Sequence, residues 1–303
     1  MIKGTVEAIF RVIYYIIARL YFQSNIRGST RLLMLISEKL PIRVGKLDHP
    51  LGFSWNIDSR ESLHTYLASC EVFTSKLLSS SSHEWDSFVC IGANRGWYPL
   101  LLGQFNSKIE IVAFECNSKT LKLLENNLSE NHSGAKVFEI AIGQHQSKVK
   151  LYGYPNSNDG MSTLYPTLEN GLISEAVEDI EVDTLDSLLI KDEYDFKKVL
   201  VLMDIEGGEF LAFKGGKEFF SRLKPTLVCE INPMLLKAAG SSSQELMQNL
   251  YDLNYESFWI DERGKLQKVL DFQELPHLKI LPQGSGANYL FIQPHESWAD
   301  SFK

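Results

Sequence analysis

The sequence predicts one α/β domain: a mostly parallel sheet with helices on both faces, an antiparallel edge, and additional helices ahead of it at the N-terminus. Three observations carry this. From residue 88 onward, short apolar runs alternate with amphipathic helical stretches, the pattern of strands joined by crossover helices. The first of these runs breaks into a glycine-bearing turn, Gly92-Ala93-Asn94-Arg95-Gly96, directly before a helix. The last apolar runs, at 257–260 and 288–293, follow the final helix and read as the antiparallel edge.

In order along the chain, residues 1–40 read as helical. Thr30 is placed to cap a second helix over 31–40, which Pro41 ends. A short extended stretch follows at 51–57. Residues 61–79 carry Leu63, Tyr66, Leu67, Phe73, Leu77 and Leu78 at helical spacing. Strands are then expected at 88–91, 109–114, 136–142, 180–182, 199–203 and 226–231, with a hairpin arm at 148–154. Helices are expected at 97–105, 119–131 and 243–253. A further helix at 209–223 is interrupted at Gly215-Gly216, and a short one capped by Asp183 runs through Leu189. The N-terminal helical and extended segment spans 1–58 and the main domain 59–303.

With 303 residues, 44% hydrophobic and 22% charged, the chain is long and apolar enough for one large core. Its net charge of −8 is unevenly spread. Residues 1–46 hold eight bases and two acids, so that segment is +6 and the remainder −14. An acidic body repels phosphates, which argues against a nucleic-acid partner. The N-terminal bases either pair with that body or meet an anionic membrane surface. The apolar run from Val12 to Ala18 is far too short to span a bilayer, and Leu20-Tyr21-Phe22-Gln23 after it is no signal-peptide cleavage site. Residues 4–22 are therefore expected to form an amphipathic or core-packing helix, with peripheral membrane attachment as the alternative. Cys70, Cys90, Cys116 and Cys229 show no paired spacing, so no zinc site is expected, and reduced thiols suit a cytoplasmic location.

Three runs carry chemistry. At Gly92–Gly96 a buried strand gives way to a helix N-terminus, whose free N–H groups suit a nucleotide-like ligand; an empty structural turn is the plainer reading. Glu115 ends the next strand 23 residues after Gly92. A carboxylate about 20 residues on is where a ribose diol is held, because it accepts from both hydroxyls. These two signals alone leave a nicotinamide enzyme open. The turn lacks the GxGxxG spacing that a pyrophosphate needs, which favours S-adenosylmethionine. The third run, Asp204-Ile205-Glu206-Gly207-Gly208-Glu209, places three carboxylates at the end of a central strand, with Asp204 and Glu206 on one face if the strand continues. Crowded carboxylates raise one another's pKa and make a general base. The trio also suits a hard divalent cation, or helix capping alone.

With these residues the chain resembles the FkbM-type methyltransferase family. The likeness rests on Gly92-Ala93-Asn94-Arg95-Gly96-Trp97-Tyr98, Ala113-Phe114-Glu115 and Glu139-Ile140-Ala141-Ile142-Gly143. It continues through Val182-Asp183-Thr184-Leu185-Asp186, Met203 through Glu209 with Lys214-Gly215, Pro225 through Asn232, and Asn288-Tyr289-Leu290-Phe291. It covers roughly residues 60–293. It implies a Rossmann-like class I methyltransferase fold and O-methylation of a hydroxyl on a sugar, glycolipid or related small acceptor. By motif position, Gly92, Ala93, Asn94 and Gly96 are implied at the methionine end of S-adenosylmethionine. Glu115, with Asn117 beside it, is implied at the ribose, Ala141 and Ile142 beside the adenine, and Asp204 near the methyl donor. Asp204, Glu206 and Glu209 are the candidate catalytic carboxylates. The chain departs from the family in carrying Cys90 where Asp is usual and Cys116 where Pro is usual. A cofactor-binding protein without catalysis and a membrane-peripheral scaffold are the rival readings. His145, in the turn after Gly143, reads as solvent-facing, and 161–164 as a lid over the substrate. The acceptor's identity and the oligomeric state are not set by the sequence.

Overall fold

A computed structural model of the chain describes residues 2–23, 45–67, 71–153, 162–166, 168–169, 172–173, 175–190, 194–261, 264–281 and 285–303. The expected helix at 31–40, Cys70, Met161 and the 156–160 stretch lie outside the described residues.

At the centre is an eight-stranded sheet built from β3 (Ser87–Ile91), β4 (Glu110–Phe114), β5 (Lys136–Phe138), β11 (Val199–Met203), β12 (Thr226–Ile231), β13 (Glu256–Ile260), β14 (Leu266–Lys268) and β15 (Ala287–Ile292). Its order is β14-β13-β15-β12-β11-β3-β4-β5. The five strands from β12 to β5 are parallel. β15 runs antiparallel between β12 and β13, and β14 adds an antiparallel outer strand. The expected antiparallel edge is thus present, with the chain's last strand tucked inside it.

Residues of β3 and β11 are buried throughout, as strands covered on both faces must be. Alternate residues face opposite layers. Phe88, Cys90, Leu200 and Leu202 join a core with α4 (Trp97–Phe105), α5 (Ser118–Glu130), α2 (Arg60–Tyr66) and α3 (Val72–Ser80). Val89, Ile91, Val201 and Met203 join a second core with α6 (Glu209–Gly215), α7 (Lys217–Leu223) and α9 (Ser243–Asp252). The first core also receives α1 (Ile2–Gln23) through Tyr14 and Ala18, and the hairpin of β1 (Gly45–Asp48) and β2 (Ser54–Ile57) through Trp55 and Ile57.

The break at Gly215-Gly216 falls where the sequence places it, between α6 and α7. Other boundaries moved. The 61–79 helix is two helices, with α3 starting at Val72. The extended stretch at 51–57 is one arm of the β1–β2 hairpin. The single strand expected at 136–142 is two. β5 ends at Phe138, and β6 (Ala141–Ile142) leaves the main sheet to pair with β10 (Glu175–Asp183), which also pairs with β7 (Ser147–Gly153). Asp183 does not cap the turn that follows. Thr184 Oγ1 accepts from the Ser187 N–H, and that turn, Asp186–Ile190, is π-type. Two small strands, β8 (Leu168–Glu169) and β9 (Leu172–Ile173), and α8 (Pro233–Ala238), whose N-terminus is capped by Asn232, have no sequence-level counterpart above.

Candidate active site

Strand order reverses at β3, with β4 on one side and β11 on the other. Outside the carboxyl ends of strands at such a point is where open α/β sheets bind ligands. The three strand ends are stitched together. The N–H groups of Gly92 and Ala93 both donate to Phe114 O, and Asp204 N–H donates to Ile91 O at 3.1 Å. Gly92 has φ +82°, and a Cβ there would sit 2.0 Å from Asp204 O. Its glycine is demanded by the neighbouring strand end as much as by any ligand. Gly96 is left-handed at φ +91° and opens α4; a Cβ on it would meet Leu124 of α5 at 2.8 Å.

The turn opens onto a cavity of about 790 Å³ counted out to its mouth. Of the residues singled out by sequence, the structure brings Gly92, Asn94, Glu115, Asn117, Ala141, Ile142, Asp204 and Glu206 to its wall. Ala93, Gly96 and Glu209 do not line it. The β6, β7 and β10 arm closes one side through Ala141, Ile142 and Leu151, and Ser162 and Leu164 of the expected lid segment line it too. Thr163 fastens this segment, pairing with Tyr152 across the backbone and donating its hydroxyl to Glu206 O at 2.8 Å.

Glu115 stands at the end of β4. One carboxylate oxygen accepts from Asn94 N–H at 2.9 Å and the other from Asn117 N–H at 2.8 Å. Burial pushes its pKa up, and these backbone donors hold it down. Its side chain lines the cavity. Asn117 is spent structurally: its Oδ1 caps α5 by accepting from Lys119 and Thr120 N–H, and its Nδ2 donates to Ser162 Oγ. Asn94 Oδ1 is a buried acceptor at the cavity wall, with no hydrogen-bond partner among the described residues. An acceptor left unmatched there suits a ligand bearing N–H or O–H donors.

The carboxylate run behaves differently from its pattern. β11 ends at Met203, so Asp204 and Glu206 do not share a strand face. Glu206 instead sits at φ +55° in the turn before α6. Glu209 is 1% exposed, and its Oε1 accepts from the N–H groups of Ile205 and Gly207 at 3.1 Å each. It braces the turn from behind and is absent from the cavity wall.

Asp204 has neighbours that were not among the candidate site residues, one of them Glu230 of the Pro225–Asn232 run. Its side chain is in hydrogen-bonding contact with Glu230 from the end of β12, and two carboxyls can meet only with a proton between them. Burial first, then Glu71, Glu206 and Glu209, push the Asp204 pKa well above the carboxylate range. Burial and Asp204 do the same to Glu230. Glu71 stands just before α3, where it accepts from the Tyr98 hydroxyl and, at 3.4 Å, from Asn288 Nδ2. Its own pKa is also raised by burial. Cys90, beneath this group, is buried, and its thiol pKa is pushed far up by burial and by Asp204, Glu115 and Glu71. The sequence signal for Glu71 was slight: it is the lone acid between Glu61 and Glu84, at the start of an apolar helix. His145 is exposed. Among the described residues, no group of three or more His, Cys, Asp or Glu is placed to hold a metal ion.

Sheet order, the reversed strand β15 between β12 and β13, and a pocket between the glycine turn and Glu115 give the chain the Rossmann-like α/β layout of class I methyltransferases. The model of the methyltransferase FkbM domain matches residues 91–257, and the chain belongs to this S-adenosylmethionine-dependent family. Among solved structures, methyltransferase FkbM from Methylobacillus flagellatus KT is similar at 19% identity and a TM-score of 0.43, over 77% of this chain and 54% of that one. This chain therefore spans about half of that protein. The precorrin-6y C5,15-methyltransferase of Geobacter metallireducens GS-15 is similar at 10% identity and a TM-score of 0.39, over 74% of this chain and 88% of that one. No curated protein matches the sequence.

Proposed function

We propose that the chain methylates a hydroxyl oxygen of a sugar, glycolipid or related small acceptor, with Asp204 as the group that receives the hydroxyl proton. The observation that carries this is the placement of Asp204. It lines the cavity beside the glycine turn, and like-charged neighbours and burial raise its proton affinity. A base works best when its pKa approaches the working pH, and an ordinary carboxylate falls short of that.

The residues present fit the family's cofactor. Asn94 Oδ1 offers an acceptor to the amino end, the Glu115 carboxylate at the cavity wall offers acceptors to the ribose hydroxyls, and Ala141 and Ile142 give an apolar wall for the adenine. Ala93 and Gly96 shape the turn without touching the cavity. Bound there, the cofactor supplies an electrophilic methyl group on a positively charged sulfur. Asp204 and Glu206 place negative charge on the same side of the cavity, and Asp204 takes the proton that the acceptor oxygen loses. The Asp204–Glu230 pair holds one proton at rest and so has one carboxylate's worth of capacity left, which the acceptor's proton fills. The protein's larger contribution is positional, holding oxygen and methyl in line.

The test is a screen of hydroxyl-bearing glycans and glycolipids, following S-adenosylhomocysteine release and locating the new methyl by mass spectrometry. Methyl on oxygen, lost in Asp204→Asn, supports the reading. Methyl on nitrogen or carbon, or an undiminished Asp204→Asn, overturns it. Equal turnover by Glu206→Gln removes Glu206 from any part in proton transfer.

A further inference from the structure

Helix α1 has two faces with opposite fates. One packs on the domain: Tyr14 and Ala18 are fully buried, and Phe10, Ile17 and Phe22 rest against the same core. The other carries Ile9, Val12, Ile16 and Leu20, at 54%, 59%, 49% and 61% exposure. Their spacing of three, four and four residues aligns them in one stripe. Tyr15 and Arg19, both exposed, flank it. Four large aliphatic side chains aligned in water are a patch of the kind that marks an interaction surface; scattered exposed leucines would not be.

Charge says what covers the stripe. The first 46 residues hold eight bases against two acids in a chain whose remainder is −14. An apolar helical stripe set in a basic segment is the pattern of a helix that lies in the headgroup region of an anionic bilayer. A second copy of the chain would bring one basic segment against another. Nor does the helix cross the bilayer: no helix among the described residues is long and apolar enough. At 22 residues, about 33 Å, α1 is long enough to lie along the surface while its opposite face stays on the domain.

We infer that the free face of α1 docks the protein on the surface of an anionic lipid membrane. The stripe enters the acyl boundary, and Arg19 beside it meets the headgroups. This stands independently of the acceptor assignment, and it places the cavity beside a membrane where a lipid-linked acceptor would be found.

The test is co-sedimentation of the full chain with phosphatidylglycerol–phosphatidylcholine vesicles and with phosphatidylcholine vesicles. The expected result is binding to the anionic vesicles that falls as salt is raised, and little to neutral ones. The triple change Val12→Ser, Ile16→Ser and Leu20→Ser should weaken it by about tenfold or more. Arg19→Glu, which leaves the stripe intact, should weaken it less. Circular dichroism and a melting curve show that each variant is folded. Three results overturn the inference: no binding to anionic vesicles, equal binding by the folded triple variant, or a dimer in light scattering that the triple change dissolves.

Discussion

Strand ends on either side of β3 hold their carboxylates in opposite ways. At the end of β4, Glu115 receives backbone N–H groups from the glycine turn at Asn94 and from Cys116 and Asn117 on the approach to α5. At the ends of β11 and β12, Asp204 and Glu230 face each other and Glu71, and the cost of crowding is met by protons. The first arrangement fixes a charge where a ligand's hydroxyls are expected. The second stores proton affinity beside it. Binding and proton transfer thus use the same residue chemistry, and the number of backbone donors separates them.

The largest effect expected from disturbing this contrast is on turnover. Asp204→Asn keeps the shape and removes the proton acceptor, and should lower kcat by about 10²–10⁴-fold while S-adenosylhomocysteine affinity is retained. Stability should move the other way as pH rises. The Asp204 pKa is raised on folding, so its contribution is full below the unfolded-state value and is lost as pH climbs through the folded one. Urea melts across pH should show Asp204→Asn gaining on the native chain above about pH 4.

A second disturbance adds a charge to the crowded end. Cys90 is buried beneath Glu71 and Asp204. Cys90→Asp, which restores the family's usual residue, should cost on the order of 3 kcal/mol at neutral pH, because a further carboxyl finds like charge there. Equal or greater stability in urea, with tighter S-adenosylhomocysteine binding, would show instead that the site lacks this Asp and that Glu71 does not fill its place.

The smallest effect is expected at Glu71. Glu71→Gln removes the largest charged contribution to the raised Asp204 pKa, so the acid limb of the kcat–pH profile should move to lower pH. A residue that only caps or packs would leave the limb in place.

The central strands and their helices were legible because buried parallel strands read as short apolar runs, and the glycine turn and Glu115 because their spacing is local. The carboxylate run was legible as composition and misleading as geometry. Asp204 and Glu206 looked like strand neighbours, yet β11 stops at Met203, and Glu206 turns through positive φ. Glu209 looked like a candidate base, yet two backbone amides hold its oxygen. Glu71 and Glu230 were missed for one reason: each reaches Asp204 only through tertiary packing, from 133 residues upstream and 26 residues downstream. The 136–142 run failed differently. Two short apolar runs, either side of Glu139, do not show that β5 and β6 belong to different sheets.

The cavity between the glycine turn and Glu115 is proposed as the cofactor site, and every role assigned above depends on it. Calorimetric titration of the native chain and of Glu115→Ala with S-adenosylhomocysteine tests it directly. The account predicts one-site binding by the native chain and a loss of about tenfold or more in a variant whose melting curve shows it folded. Absence of binding by the native chain, or equal affinity in the folded variant, would contradict it.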